Sequence, residues 1–180
     1  MPRSGSLSPR KGNPEGFPDR GGKQFELKPT KRPIVQRTFL NGAGTKAILV
    51  GFPGDIHIAY DGGSARPALI WRGAFFDAYS TWFLRMAPFE KPMSEDVYSF
   101  PEVEGERRFR GYRLDEKGVP TFQFVESDRV VKERFEVGDG TLRRVLSWEK
   151  GSPPMIGHPK GVEASVEEEE KKLTVIYRWK

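Results

Sequence analysis

Two histidines, His57 and His158, and no cysteine occur in the 180 residues. An imidazole titrates near neutrality, so His57 and His158 are the first places to look for acid–base chemistry. His57 lies in Ile56–Tyr60, where strict alternation puts Ile56, Ile58 and Tyr60 on one face and His57 and Ala59 on the other. That parity makes Arg72 or Asp77 its neighbour, and it marks His57, Asp61 and Asp77 as a possible ligand site. No G-x-S-x-G nucleophile motif accompanies it. The bland reading of His57, a histidine at the surface or behind a site that holds a loop, is therefore the expected one. A metal site needs converging imidazoles and carboxylates, yet the two histidines stand 101 positions apart, with no HxH or HExxH. Asp55, Asp61 and Asp77 lack the D-x-D-x-D-G spacing of a calcium loop. Zero cysteines exclude disulfides, thiolate ligation and a cysteine nucleophile. The glycines at 42, 44, 51, 54, 62 and 63 form neither GxGxxG nor GxxxxGK[ST] and read as turn residues. Paired carboxylates for glycoside chemistry could be sought among Glu126, Asp128 and Glu133, with nothing to choose among them. The expectation is no catalytic residue, no metal, no cofactor and no enzyme.

Binding is better represented. Tyr60, Trp71, Arg72 and Trp82 combine aromatic faces with a guanidinium, a set suited to sugars, bases or a partner's surface, although most such aromatics in a β-fold are core. Charge adds a second element. Residues 1–37 hold nine Lys/Arg against three Asp/Glu, whereas the remainder is almost neutral. Residues 1–24 are rich in Pro, Gly, Ser, Arg and Lys, with too little apolar content to offset their ordering entropy. Residues 1–31 thus read as a basic extended arm, with Arg3, Arg10, Lys11, Arg20 and Lys23 available to an acidic partner. Nucleic acid is not expected, because a body without net positive charge offers no basic stripe. No apolar run approaches the roughly 20 residues of a membrane helix, so no transmembrane segment is expected.

The elements that would position these residues are strands. Thirteen phenylalanines, five tyrosines, four tryptophans, twenty glycines and fifteen prolines favour short strands and frequent turns. Ala47–Val50 is wholly apolar and fits a strand covered on both faces. Ile56–Tyr60, the turn Asp61-Gly62-Gly63-Ser64 and Pro67–Arg72 form a hairpin. Ala74–Trp82 has irregular aromatic spacing and reads as a turn or single helical turn packed on the sheet. Residues 86–106, with Pro88, Pro92 and Pro101, read as a long surface connection. Alternation returns in Arg108–Leu114, Val119–Glu126, Val130–Val137 and Leu142–Trp148. Val162, Ala164 and Val166 suggest a short strand, Glu167–Lys172 a charged turn, and Leu173–Trp179 the last strand. The prediction is an all-β, antiparallel sandwich-like domain of about nine or ten short strands over residues 32–180, preceded by the extended arm.

Longer strings carry a resemblance. Val50-Gly51-Phe52-Pro53, His57, Asp61, Trp71-Arg72-Gly73, Asp77-Ala78, Tyr112-Arg113-Leu114-Asp115, Pro120-Thr121-Phe122 and Leu142-Arg143-Arg144, in that order, span residues 32–179. In these the chain resembles the haem-free β-domain that follows the cytochrome domain in large exported bacterial c-type cytochromes. The chain has no CxxCH of its own, and the stretch between Trp148 and Lys171 is short beside that pattern. The resemblance implies a periplasmic or otherwise exported protein whose partner is a separate subunit, such as a c-type cytochrome; a natural start at Met1 would imply the cytoplasm instead. The resulting expectation is a non-catalytic accessory or docking subunit of an electron-transfer assembly, anchored by arm and sheet edge. The alternative is a carbohydrate-binding or carbohydrate-processing module, which would show two exposed coplanar aromatics in a groove beside His57 or a carboxylate.

Overall fold

The computed structural model describes residues 21–180. Among them are thirteen strands and one helical turn. In chain order these are β1 (Glu26–Leu27), β2 (Ile34–Leu40), β3 (Gly44–Gly51), β4 (Ile56–Asp61), β5 (Arg66–Arg72), β6 (Phe76–Asp77), α1 (Tyr79–Phe83), β7 (Val97–Ser99), β8 (Arg107–Leu114), β9 (Pro120–Glu126), β10 (Arg129–Gly138), β11 (Thr141–Trp148), β12 (Glu163–Glu169) and β13 (Lys172–Arg178). All pairings between these strands are antiparallel. The first half of the chain builds a five-stranded sheet in the order β2-β3-β4-β5-β7. The second half builds a six-stranded sheet in the order β12-β13-β11-β10-β9-β8, with β13 inserted between β11 and β12.

The two sheets stack through their alternating apolar faces. Ile48, Val50, Ile56, Ile58, Tyr60 and Ile70 of the first meet Phe122, Phe124, Val131, Phe135, Leu142, Leu146, Val175 and Tyr177 of the second. Removing this much apolar surface from water is the main drive for folding. The five-stranded sheet is also covered on its other face, where Leu49, Ala59, Leu69 and Trp71 lie under Phe75, Phe76 and Ala78, with Leu27 at the margin. That double burial is why β3 is uniformly apolar at its centre rather than alternating. The cover approaches closely: a Cβ on Gly51 would stand 2.7 Å from the Phe75 ring, so only glycine fits.

The expected all-β sandwich-like architecture is present, with corrections in three places. The strand count exceeds nine or ten because β1, β6 and β7 are only two or three residues long and leave no periodic pattern. β7 lies inside the stretch expected to be surface connection and pairs with β5. β12 runs through Glu169, where a charged turn was expected at Glu167–Lys172; all seven of its residues are exposed, so an edge strand accommodates the glutamates without desolvating them. Arg3, Arg10, Lys11 and Arg20 lie outside the described residues. Lys23 is described and exposed. The end of the expected arm lies on the body, since β1 pairs with β6 and the Phe25 amide donates to Asp77 Oδ1 at 2.9 Å.

Candidate functional site

His57 is buried, on the face that parity assigned, and both ring nitrogens are engaged by backbone. The Phe52 amide donates to Nδ1 at 3.2 Å, which leaves the proton on Nε2 to be donated to the Gly73 carbonyl at 2.8 Å. Trp71 and Phe75 pack on the ring, with centroids at 5.5 and 5.0 Å. Burial lowers the imidazole pKa, against weaker raising contributions from the Gly73 bond and Asp55. This histidine ties the β3–β4 turn to the loop after β5 and has no free nitrogen for chemistry.

Asp61 and Asp77 do not join it. Asp61 closes its own turn, accepting from the Gly63 amide at 2.7 Å and the Ser64 hydroxyl at 2.5 Å. Asp77 Oδ1 accepts from the Phe25 and Tyr79 amides, each at 2.9 Å, and so clasps the incoming chain to α1. The expected ligand set of His57, Asp61 and Asp77 is therefore three separate structural posts. The aromatic platform divides likewise. Tyr60 and Trp71 are fully buried, Tyr60 stacked on Phe122 at 4.1 Å and Trp71 donating through Nε1 to the Ala74 carbonyl at 3.1 Å. They belong to the core rather than to a binding surface. Arg72 stays exposed, with its guanidinium 5.7 Å from the Trp179 ring centroid. Trp82 is exposed as well.

The buried charges form a network that the sequence reading did not single out. Glu133 points inward between Val131 and Phe135, and Arg144 between Leu142 and Leu146. They pair at 2.5 Å with both side chains essentially inaccessible. Arg144 also donates to the Gly157 carbonyl at 3.1 Å and the Tyr177 hydroxyl at 3.4 Å, and His158 Nδ1 lies 3.3 Å from that hydroxyl. Tyr60's hydroxyl neighbours the Glu133 carboxylate without reaching hydrogen-bond geometry; burial first, then that charge, raises its pKa well above the ordinary value. On the same inner face, at the β9–β10 turn, Glu126 is held by Arg107 and Arg129. Arg107, Arg129 and Arg144 donate in turn to the carbonyls of Met155, Ser152 and Gly157, strapping the β11–β12 loop down. Glu126 and Glu133 are thus both neutralised by arginines, and Asp128 is exposed in a turn. Each buried charge is visible in the sequence, in hindsight, as an ionic residue in phase with an apolar face.

The exposed features lie elsewhere. Phe25, Trp82 and Phe83 cluster at the β1–α1 end, with Phe25 centroids 5.1 Å from Trp82 and 6.4 Å from Phe83, and they are 45%, 45% and 61% exposed. Met86, three residues on, is 87% exposed. On the adjoining side of α1, Thr81 helps line an open groove of about 440 Å³ between the β2–β3 hairpin and β8, walled by Phe39, Ile48 and Phe109 and carrying Arg37 and Lys46. Phe89 stacks on Phe39 at 5.4 Å. Among the described residues no three His, Asp or Glu gather as a metal site, and no helix is long and apolar enough to cross a membrane. Comparison with protein-family models, curated proteins and solved structures returns no match.

Proposed function

We propose that this chain is a non-catalytic docking subunit of a larger assembly, and that it engages its partner through the ridge of Phe25, Trp82, Phe83 and Met86 together with the adjoining groove. The observation that carries the reading is the clustering of Phe25, Trp82 and Phe83, each at least 45% exposed, at the β1–α1 end, with exposed Met86 three residues beyond. Single exposed apolar residues are commonplace, but contiguous ones mark interaction surfaces. The partner feature that fits is an apolar segment flanked by acidic residues, because Arg37 and Lys46 line the groove and the N-terminal region is basic. The sequence resemblance supports an electron-transfer, cytochrome-containing assembly in an exported compartment as the setting. The sugar-module alternative is less supported: His57 is internal, and Phe39 at the groove has a face covered by Phe89, stacked on it at 27°.

The test is quantitative co-purification from the native organism with tagged wild type and with Trp82→Ala/Phe83→Ala. A discrete set of proteins should be held by wild type and lost from the variant, and the variant should keep wild-type circular dichroism. Equal recovery by both forms, or nothing enriched by either, would overturn the reading.

A further inference from the structure

The six-stranded sheet ends in two edges of opposite charge, β8 and β12. Outward on β8 stand Arg108, Arg110 and Arg113, and along β12 stand Glu163, Glu167, Glu168 and Glu169. All are exposed; among the described residues Arg108, Arg110, Arg113, Glu167 and Glu168 make no ion pair. Among the described residues the backbone of β8 hydrogen-bonds only to β9 and that of β12 only to β13, so both outer edges carry unpaired N–H and C=O groups. The six strands alternate in direction along the order β12-β13-β11-β10-β9-β8. A second molecule carried sideways without rotation therefore brings its β8 antiparallel to β12 of the first.

Register makes the match specific. The bulge between Phe109 and Gly111 sets Arg108 opposite Val125 and Arg113 opposite Thr121, four ladder positions apart. Glu163 and Glu167 are also four positions apart on β12 and face the same way, opposite Arg178 and Thr174 on the sheet's outer side. With Arg108 of one copy opposite Glu167 of the next, Arg113 falls opposite Glu163. On the inner side the same register sets Phe109 against Val166 and Tyr112 against Ala164. Val166 is 50% exposed, although its partner Val175 is core. Opposite charges and apolar pairs directly across a ladder each stabilise it modestly. The same charges disfavour β12 against β12 and β8 against β8, where like would meet like.

We infer that copies of this chain associate edge to edge, β8 on β12, into a continuous antiparallel sheet that grows head to tail. Sedimentation velocity on the full chain tests it. Wild type should grow beyond monomer between micromolar and millimolar concentration in low salt and return to monomer in high salt. Arg108→Glu/Arg113→Glu and Glu163→Lys/Glu167→Lys should each stay monomeric, and an equimolar mixture should associate again, because each supplies the edge the other lacks. Hydrogen exchange on wild type alone gives an independent reading: amides of β8 and β12 should gain protection with concentration while β2 does not. A wild type monomeric throughout, a mixture that fails to associate, or protection that arises only outside β8 and β12 would overturn the inference.

Discussion

At the scale of single residues the interior is ionic where a sandwich core is ordinarily apolar. Glu133 and Arg144 hold each other in the core: burial acts to lower the Arg144 pKa, and the Glu133 and Tyr177 interactions together more than offset that. Glu133→Leu, which strands the guanidinium, should lower unfolding stability by about 3–5 kcal/mol, whereas Glu133→Leu/Arg144→Met should recover most of the loss. Urea titration decides this, and a single variant within about 1 kcal/mol of wild type would show that the pair is not desolvated as described. His57 gives a pH signature. Its folded-state pKa lies below the ordinary 6.5, as does that of His158, so the unfolded chain takes up protons more readily. Stability is then complete above about pH 6.5 and falls as the pH drops toward the folded pKa values. The urea midpoint should decline from pH 7 to pH 5 at least in part through His57, and His57→Phe should flatten that decline, measured as slope rather than as absolute stability. An unchanged slope in the variant would exclude His57 as a contributor.

Among the elements, the least expected are the short ones. β1, β6 and α1 have too few residues to be stable alone and persist because Asp77 joins them and Phe76 packs on the sheet. Asp77→Ala removes the oxygen that accepts from the Phe25 and Tyr79 amides, two hydrogen bonds worth about 1.5–3 kcal/mol each by the usual charged-acceptor range. Its clearest effect should be local: faster hydrogen exchange and proteolysis at Phe25–Leu27, with the β10–β11 core unaffected. Equal exchange in variant and wild type would mean that β1 is held by packing alone. The hairpins Ile56–Arg72 and Arg107–Glu126 were legible because alternation and turn glycines agree there. β7 was not, because three residues carry no period and their pairing with β5 is purely tertiary.

For the molecule as a whole, the aromatic ridge sits at the β1–α1 end, the groove beside it carries Arg37 and Lys46 and reaches Phe109 of β8, and opposite charges line the two edges of the six-stranded sheet. Docking that combines apolar burial with basic steering should weaken as salt rises, since exposed charges are screened beyond roughly 10 Å at 0.1 M. Partner association measured in low and high salt, with and without residues 1–20, should show both a salt dependence and a loss on truncation. Binding indifferent to both would restrict the interface to the aromatic ridge.

By itself the chain determined the class of fold, because period-two alternation and glycine-rich turns are local and each strand carries its own inward face. It also assigned His57 the correct side of its strand. Only the tertiary structure decided what each side faces: the second sheet buries Tyr60, a second apolar layer turns Trp71 and His57 into interior residues, and Trp82 is left outside. Burial depends on which segment covers which, and the segment that covers Trp71 and His57, Gly73–Ala78, has no periodicity from which its position could be read.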